Sequence, residues 1–143
     1  MENENVFNEL INMEDIIYFY HVTNKSGYDF INDGLFMVDK DIYKTMIEMP
    51  DEFKTNPLEY SVGEYGVKGT YRDKNKMNII ILGIHKEDIN NFVLKSNYVP
   101  DNWTHDEEPN YYIPNDYVAG FIDCNNEEFV LNEEYSYNYS LGF

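Results

Sequence analysis

The stretch "MNIIILGI", residues 77–84, limits the folds open to this chain more than any other. From Ile79 to Leu82 the side chains are aliphatic without interruption. A strand with one wet face alternates apolar and polar residues, so an unbroken run leaves no face for water and belongs inside a sheet. Residues 16–20, Ile-Ile-Tyr-Phe-Tyr, have the same character and continue into His21, Val22 and Thr23. Two strands that are apolar on both faces are expected to lie side by side in the interior, the second extending over residues 16–23.

Weaker signals surround these two strands. Val6, Phe7, Leu10 and Ile11 share one face of a helix expected over residues 5–13, with Asn5 as its N-cap. In "SGYDFIND", Tyr28 or Phe30 with Ile31 suggests a helix of at most two turns. Gly34 stops it, because glycine accepts the left-handed conformation that follows a helix. After "LFMV", residues 42–47 alternate Ile42, Lys44, Met46 against Tyr43, Thr45, Ile47, the period of a strand that Pro50 ends. Residues 51–76, with Gly63, Gly66 and Gly69 among tyrosines, read as a long irregular excursion. A helix is expected from about Lys86 to Lys95, presenting Ile89, Phe92 and Val93, then a second long loop. "YYIP", "YVAGFID" and "EEFVL" read as short strands, and residues 133–143 as a polar C-terminal tail. Strands and short helices without regular strand–helix–strand alternation predict one α+β domain over residues 1–143.

With 143 residues, the chain is long enough for a single core burying roughly two-thirds of its unfolded surface. Its formal charge of −17 repels nucleic acid and anionic membranes and draws basic partners inward. Direct nucleic-acid binding is therefore disfavoured. No apolar run approaches the ~20 residues of a membrane span. The first ten residues carry acids where a signal peptide carries lysine or arginine, so the expected location is the cytoplasm. On that expectation the glycosylation sequons at Asn24, Asn102 and Asn138 carry no meaning. Cys124 is the single cysteine, which excludes an intrachain disulfide and a cysteine-based zinc site.

Metal chemistry finds little purchase, and no metal site is expected. His85 and Asp88 in "HKED", and His105 in "HDEEP", lack a second histidine at ligand spacing. "DKNKMN" and "DCNNEE" are oxygen-rich but lack the glycine and terminal glutamate of a calcium loop, so they read as solvated turns. No Gly-Lys-Ser/Thr follows the glycines at 63–69, and neither Ser61 nor Cys124 has a nucleophile's local signature.

His21 has two readings, a hydrogen-bonded structural residue at a strand end or the first residue of a binding site. Tyr20-His21-Val22-Thr23, a short helix, Ile31-Asn32-Asp33-Gly34-Leu35 and then Ile42-Tyr43-Lys44-Thr45 resemble the opening of the ADP-ribosyltransferase fold. "YIPNDYVAGFID" is similar to a segment near the end of several such families, which include RNA 2′-phosphotransferases and toxin-type transferases that modify DNA. The resemblance covers about residues 18–47 and 108–124. It implies a split, mainly antiparallel sheet with short flanking helices, and NAD as the substrate that donates ADP-ribose. By position, His21 would hydrogen-bond a ribose hydroxyl with Thr23 in support, and Tyr43 would stack on nicotinamide. A late glutamate would stabilise the oxocarbenium-like transition state, as a carboxylate does in glycosidases. Glu108 is the choice, with Glu107, Glu127 and Glu128 left open. Arg72 is the only arginine, and with a charge of −17 this argues against RNA as the substrate.

Two functions of different class follow. One is an NAD-dependent mono-ADP-ribosyltransferase-like enzyme carrying His21, Tyr43 and Glu108. The other is a non-enzymatic acidic interaction or inhibitor protein that docks on a basic protein, as a nucleic-acid mimic from a mobile element would.

Overall fold

The structure, a computed structural model, describes residues 4–37, 47–57, 77–88 and 111–136. Its elements in chain order are α1 (Glu4–Leu10), β1 (Ile16–Thr23), α2 (Gly27–Asp33), β2 (Leu35–Met37), β3 (Ile47–Glu48) and α3 (Asp51–Thr55). After these come β4 (Asn78–His85), β5 (Tyr111–Ile113), a 3-10 turn at Asn115–Tyr117, β6 (Val118–Asp123) and β7 (Glu128–Leu131). The main sheet runs β3-β1-β4-β6-β7, and β2 pairs with β5 in a separate two-stranded sheet. Every pairing among the described strands is antiparallel. This is a small α+β domain.

The aliphatic run is β4, and it is interior in both senses. It lies between β1 and β6 and pairs with β1 along its whole length, from Ile16 opposite His85 to Thr23 opposite Asn78. Residues 79–84 are all buried. Side chains alternate across a strand, so the run is divided between two cores. On one face Tyr18, Tyr20, Val22, Ile79 and Ile81 meet Phe7 and Leu10 of α1, Ile11 just after it and Phe53 of α3. On the other, Phe19, Ile80, Leu82 and Ile84 meet Phe30 of α2 with Leu35 and Ile113 of the small sheet.

Local chemistry explains where the elements stop. α1 begins at Glu4, so Asn5 lies inside its first turn and is not the N-cap expected from the sequence. The helix also ends short of residue 13, because the Met13 amide donates to the Tyr18 hydroxyl at 3.2 Å and the chain turns back. α2 follows its sequence signals closely. The Ser26 hydroxyl accepts from the Tyr28 amide at 3.3 Å, and Gly34 closes the helix at φ 77° with its amide on the Phe30 carbonyl at 2.9 Å. Phe30 is the buried residue of the pair considered, and Tyr28 is 58% exposed.

The expected irregular segment starts with a helix. Pro50, in extended conformation, stands at the N-cap of α3, whose Asp51 and Glu52 sit in the first turn and Lys54 in the last, as the helix dipole favours. A five-residue helix with one apolar residue shows no usable periodicity. Phe53 holds it in place, fully buried and stacked on Tyr20 with ring centroids 4.4 Å apart and planes at 16°. Residues 58–76, and the expected helix beyond Asp88, lie outside the described residues. Of the alternating strand at 42–47 only the end is described, as β3, where Ile47 pairs with Tyr20.

The far side of the sheet is pinned by polar groups. Between Ile81 and Leu82 the register with β6 shifts by one residue, from Gly120 to Val118, leaving Ala119 as a bulge. Asn132, 2% exposed, donates from Nδ2 to the carbonyls of Asn115 and Val118 at 2.9 and 2.8 Å. Its Oδ1 accepts from the Glu134 amide at 3.1 Å. The segment from residue 133 opens with an anchored residue, as Tyr135 is buried and its hydroxyl donates to the Gly83 carbonyl at 3.3 Å. A β-carbon at Gly83 would collide with that hydroxyl, so the glycine within the aliphatic run makes room for the tyrosine.

Two outcomes are expected. Ile81→Asp, which puts an unpaired charge at a fully buried position, should cost at least about 3 kcal/mol and abolish or greatly lower the cooperative thermal transition. Burial pushes the Tyr18 phenol up from 10.0 to about 12, partly offset by the Met13 amide that donates to it. The stabilisation from the neutral phenol is complete below pH 10 and lost as the pH rises toward 12. Denaturant titrations should show up to about 2 kcal/mol lost over that window. Tyr18→Phe should remove that part of the alkaline dependence.

Candidate functional site

His21 is fixed by the strand that carries it. It pairs with Ile80 of β4 and so faces the same side as Phe19, toward α2 and the small sheet. The imidazole is half-buried, its ring centroid 6.0 Å from that of Phe30 and tilted at 59°. Thr23, two residues on, shares this face and is 6% exposed. Buried hydroxyls need partners, and this one accepts from the Lys25 amide at 3.1 Å. Asn78, across from Thr23, donates from Nδ2 to the Lys25 carbonyl at 3.0 Å. The two side chains clamp both backbone groups of Lys25 and set the turn that leads to Ser26 and α2.

The structure thus brings His21 and Thr23 together on one sheet face beside α2. Tyr43, Glu107 and Glu108 lie outside the described residues, Glu108 three positions before the start of β5. Glu127 and Glu128 are described, on the β6–β7 hairpin. Thr23, Asn78, Asp123 and Glu128 form one row across β1, β4, β6 and β7. Three strand spacings of about 4.8 Å separate the backbones of Thr23 and Glu128 by about 14 Å. The described geometry therefore does not bring either hairpin glutamate to His21.

Other candidates resolve into structure. In "HKED" the His85 imidazole accepts from the Glu87 amide at 3.2 Å, and the Asp88 amide donates to the His85 carbonyl at 2.8 Å, a turn built by the residues themselves. In "DCNNEE" Asp123 accepts from the Asn125 amide at 2.9 Å, and Glu127 closes the turn at φ 56°. Cys124 is fully buried, with its amide donating to the Met77 carbonyl at 3.2 Å. Among the described residues no group of three or more His, Cys, Asp or Glu could hold a metal ion. No helix among them is long and apolar enough to cross a membrane. His105, Ser61, Arg72 and the glycines at 63–69 lie outside them.

One arrangement had no signal in the sequence. Where β6 begins, Asp116 buries its Oδ1 without a hydrogen-bond partner. Beside it the Tyr117 phenol is pushed up, first by burial and then by the charges of Asp88 and Asp116. Asp88 and Asp116 are far apart in sequence, and the fold brings both charges within electrostatic range of Tyr117.

Comparison with protein-family models, with curated proteins and with solved structures gave no match.

Thr23→Val keeps the shape and removes the acceptor, leaving the Lys25 amide unpaired. Urea titration should show a loss of about 1 to 2 kcal/mol, while Thr23→Ser should retain most of the stability.

Proposed function

We propose that this chain is an ADP-ribosyltransferase-like protein that binds NAD and transfers ADP-ribose to a macromolecular acceptor. One observation carries the reading. The two stretches that resemble that fold, distant in sequence, are partners in space. Leu35, at the end of the "DGL" turn, pairs with Ile113 of "YIP", and Phe30 of α2 shares a core with Phe121 of "AGF". His21 sits at the rim of that shared unit, against Phe30. The two stretches therefore lie in one packed unit, the arrangement that parts of one fold would adopt.

On this reading His21 binds a ribose hydroxyl, and Thr23 holds the strand end that presents it. Tyr43 stacks on nicotinamide and Glu108 stabilises positive charge on the ribose. The bond between nicotinamide and C1′ of the ribose breaks, and its electron pair leaves with nicotinamide. The acceptor's nucleophilic atom then bonds to C1′ and gives up its proton. NAD is a substrate in this scheme and no metal takes part.

Calorimetric titration with NAD, run beside thermal melts, tests the assignment. The unmutated protein should bind NAD. His21→Ala should abolish binding or turnover and leave the melting temperature nearly unchanged. If His21 is a structural hydrogen-bonding residue, the same change costs about 1 to 2 kcal/mol and lowers the melting temperature by several degrees. Absence of NAD binding by the unmutated protein, together with a destabilised variant, overturns the reading.

A second reading rests on charge. The helices covering the sheet face opposite His21 are acidic where they meet water, with Glu4, Glu9, Asp51 and Glu52 exposed, and Glu14 and Asp15 exposed in the adjoining turn. With −17 overall, this face suits a basic protein partner, as a non-enzymatic inhibitor or nucleic-acid mimic would present. The association rate of such a complex should fall steeply with salt, since exposed charges are screened within about 8 Å at physiological ionic strength. Glu9→Lys with Glu52→Lys should slow association further and leave NAD titration unaffected. A salt-insensitive complex, or capture of nucleic acid alone, counts against this reading.

A further inference from the structure

We draw no further inference here: the strongest candidate, the buried Asp116 Oδ1 beside Tyr117 and Asp88 where β6 begins, is an acidic cluster at which nothing in the structure points to a ligand.

Discussion

Burial of β4 on both faces is the constraint from which the rest of the architecture follows. Ile79 and Ile81 point one way and Ile80, Leu82 and Ile84 the other, all fully buried. Burying each such side chain is worth about 1.5 to 3 kcal/mol, and that gain exists only if both faces are covered. A sheet with a single helical layer would leave one set of aliphatics in water. The chain meets the requirement with unlike covers, two short helices on one face and a helix with a two-stranded sheet on the other. None of these helices exceeds seven residues, too short to persist alone, so each depends on the sheet it covers.

Apolar cover does not satisfy the backbone groups that it buries, and a few polar side chains do that work. Buried amides and carbonyls without partners are costly. Asn132 serves two carbonyls and one amide where β6, β7 and the 3-10 turn converge. At the opposite end of the sheet, Thr23 and Asn78 serve the amide and carbonyl of Lys25. Tyr135 and Tyr18 do the same on the α1 face, each hydroxyl bonded to a backbone group from another segment. These contacts fix the turns, and the turns decide which parts of the chain lie against which face.

What the sequence made legible is what apolar periodicity and turn chemistry encode. β1 and β4 were readable because their runs have no polar face, and α2 because Gly34 stands where a left-handed residue is required. β5, β6 and β7 showed as short apolar segments between turn residues. α3 was not readable, because its only apolar residue, Phe53, gains its meaning from Tyr20, more than thirty positions earlier. The roles of Asn132 and Tyr135 were hidden for the same reason, their partners being supplied by strands distant in sequence. Of the candidate site, the common face of His21 and Thr23 followed from strand alternation. The partner of Thr23 did not, since a ribose, an imidazole and a backbone amide all suit a buried hydroxyl.

The two functional readings occupy opposite faces of one sheet, and this separates them physically. The acidic helices pack on Tyr18, Tyr20 and Val22, while His21 lies among Phe30 and Ile80 on the other side of the same strand. A buried layer of aliphatic and aromatic side chains stands between them. Substitutions separated by a packed layer of this kind usually add. A change in the charge of α1 or α3 therefore acts on long-range attraction and leaves the imidazole's neighbours in place. His21 is also held in place, because its backbone pairs with β4 and its ring lies against Phe30. On the NAD-binding proposal, a side chain held this way would lose little further freedom on binding. The same rigidity makes His21 hard to move indirectly, so the consequences of replacing it report on its own contacts.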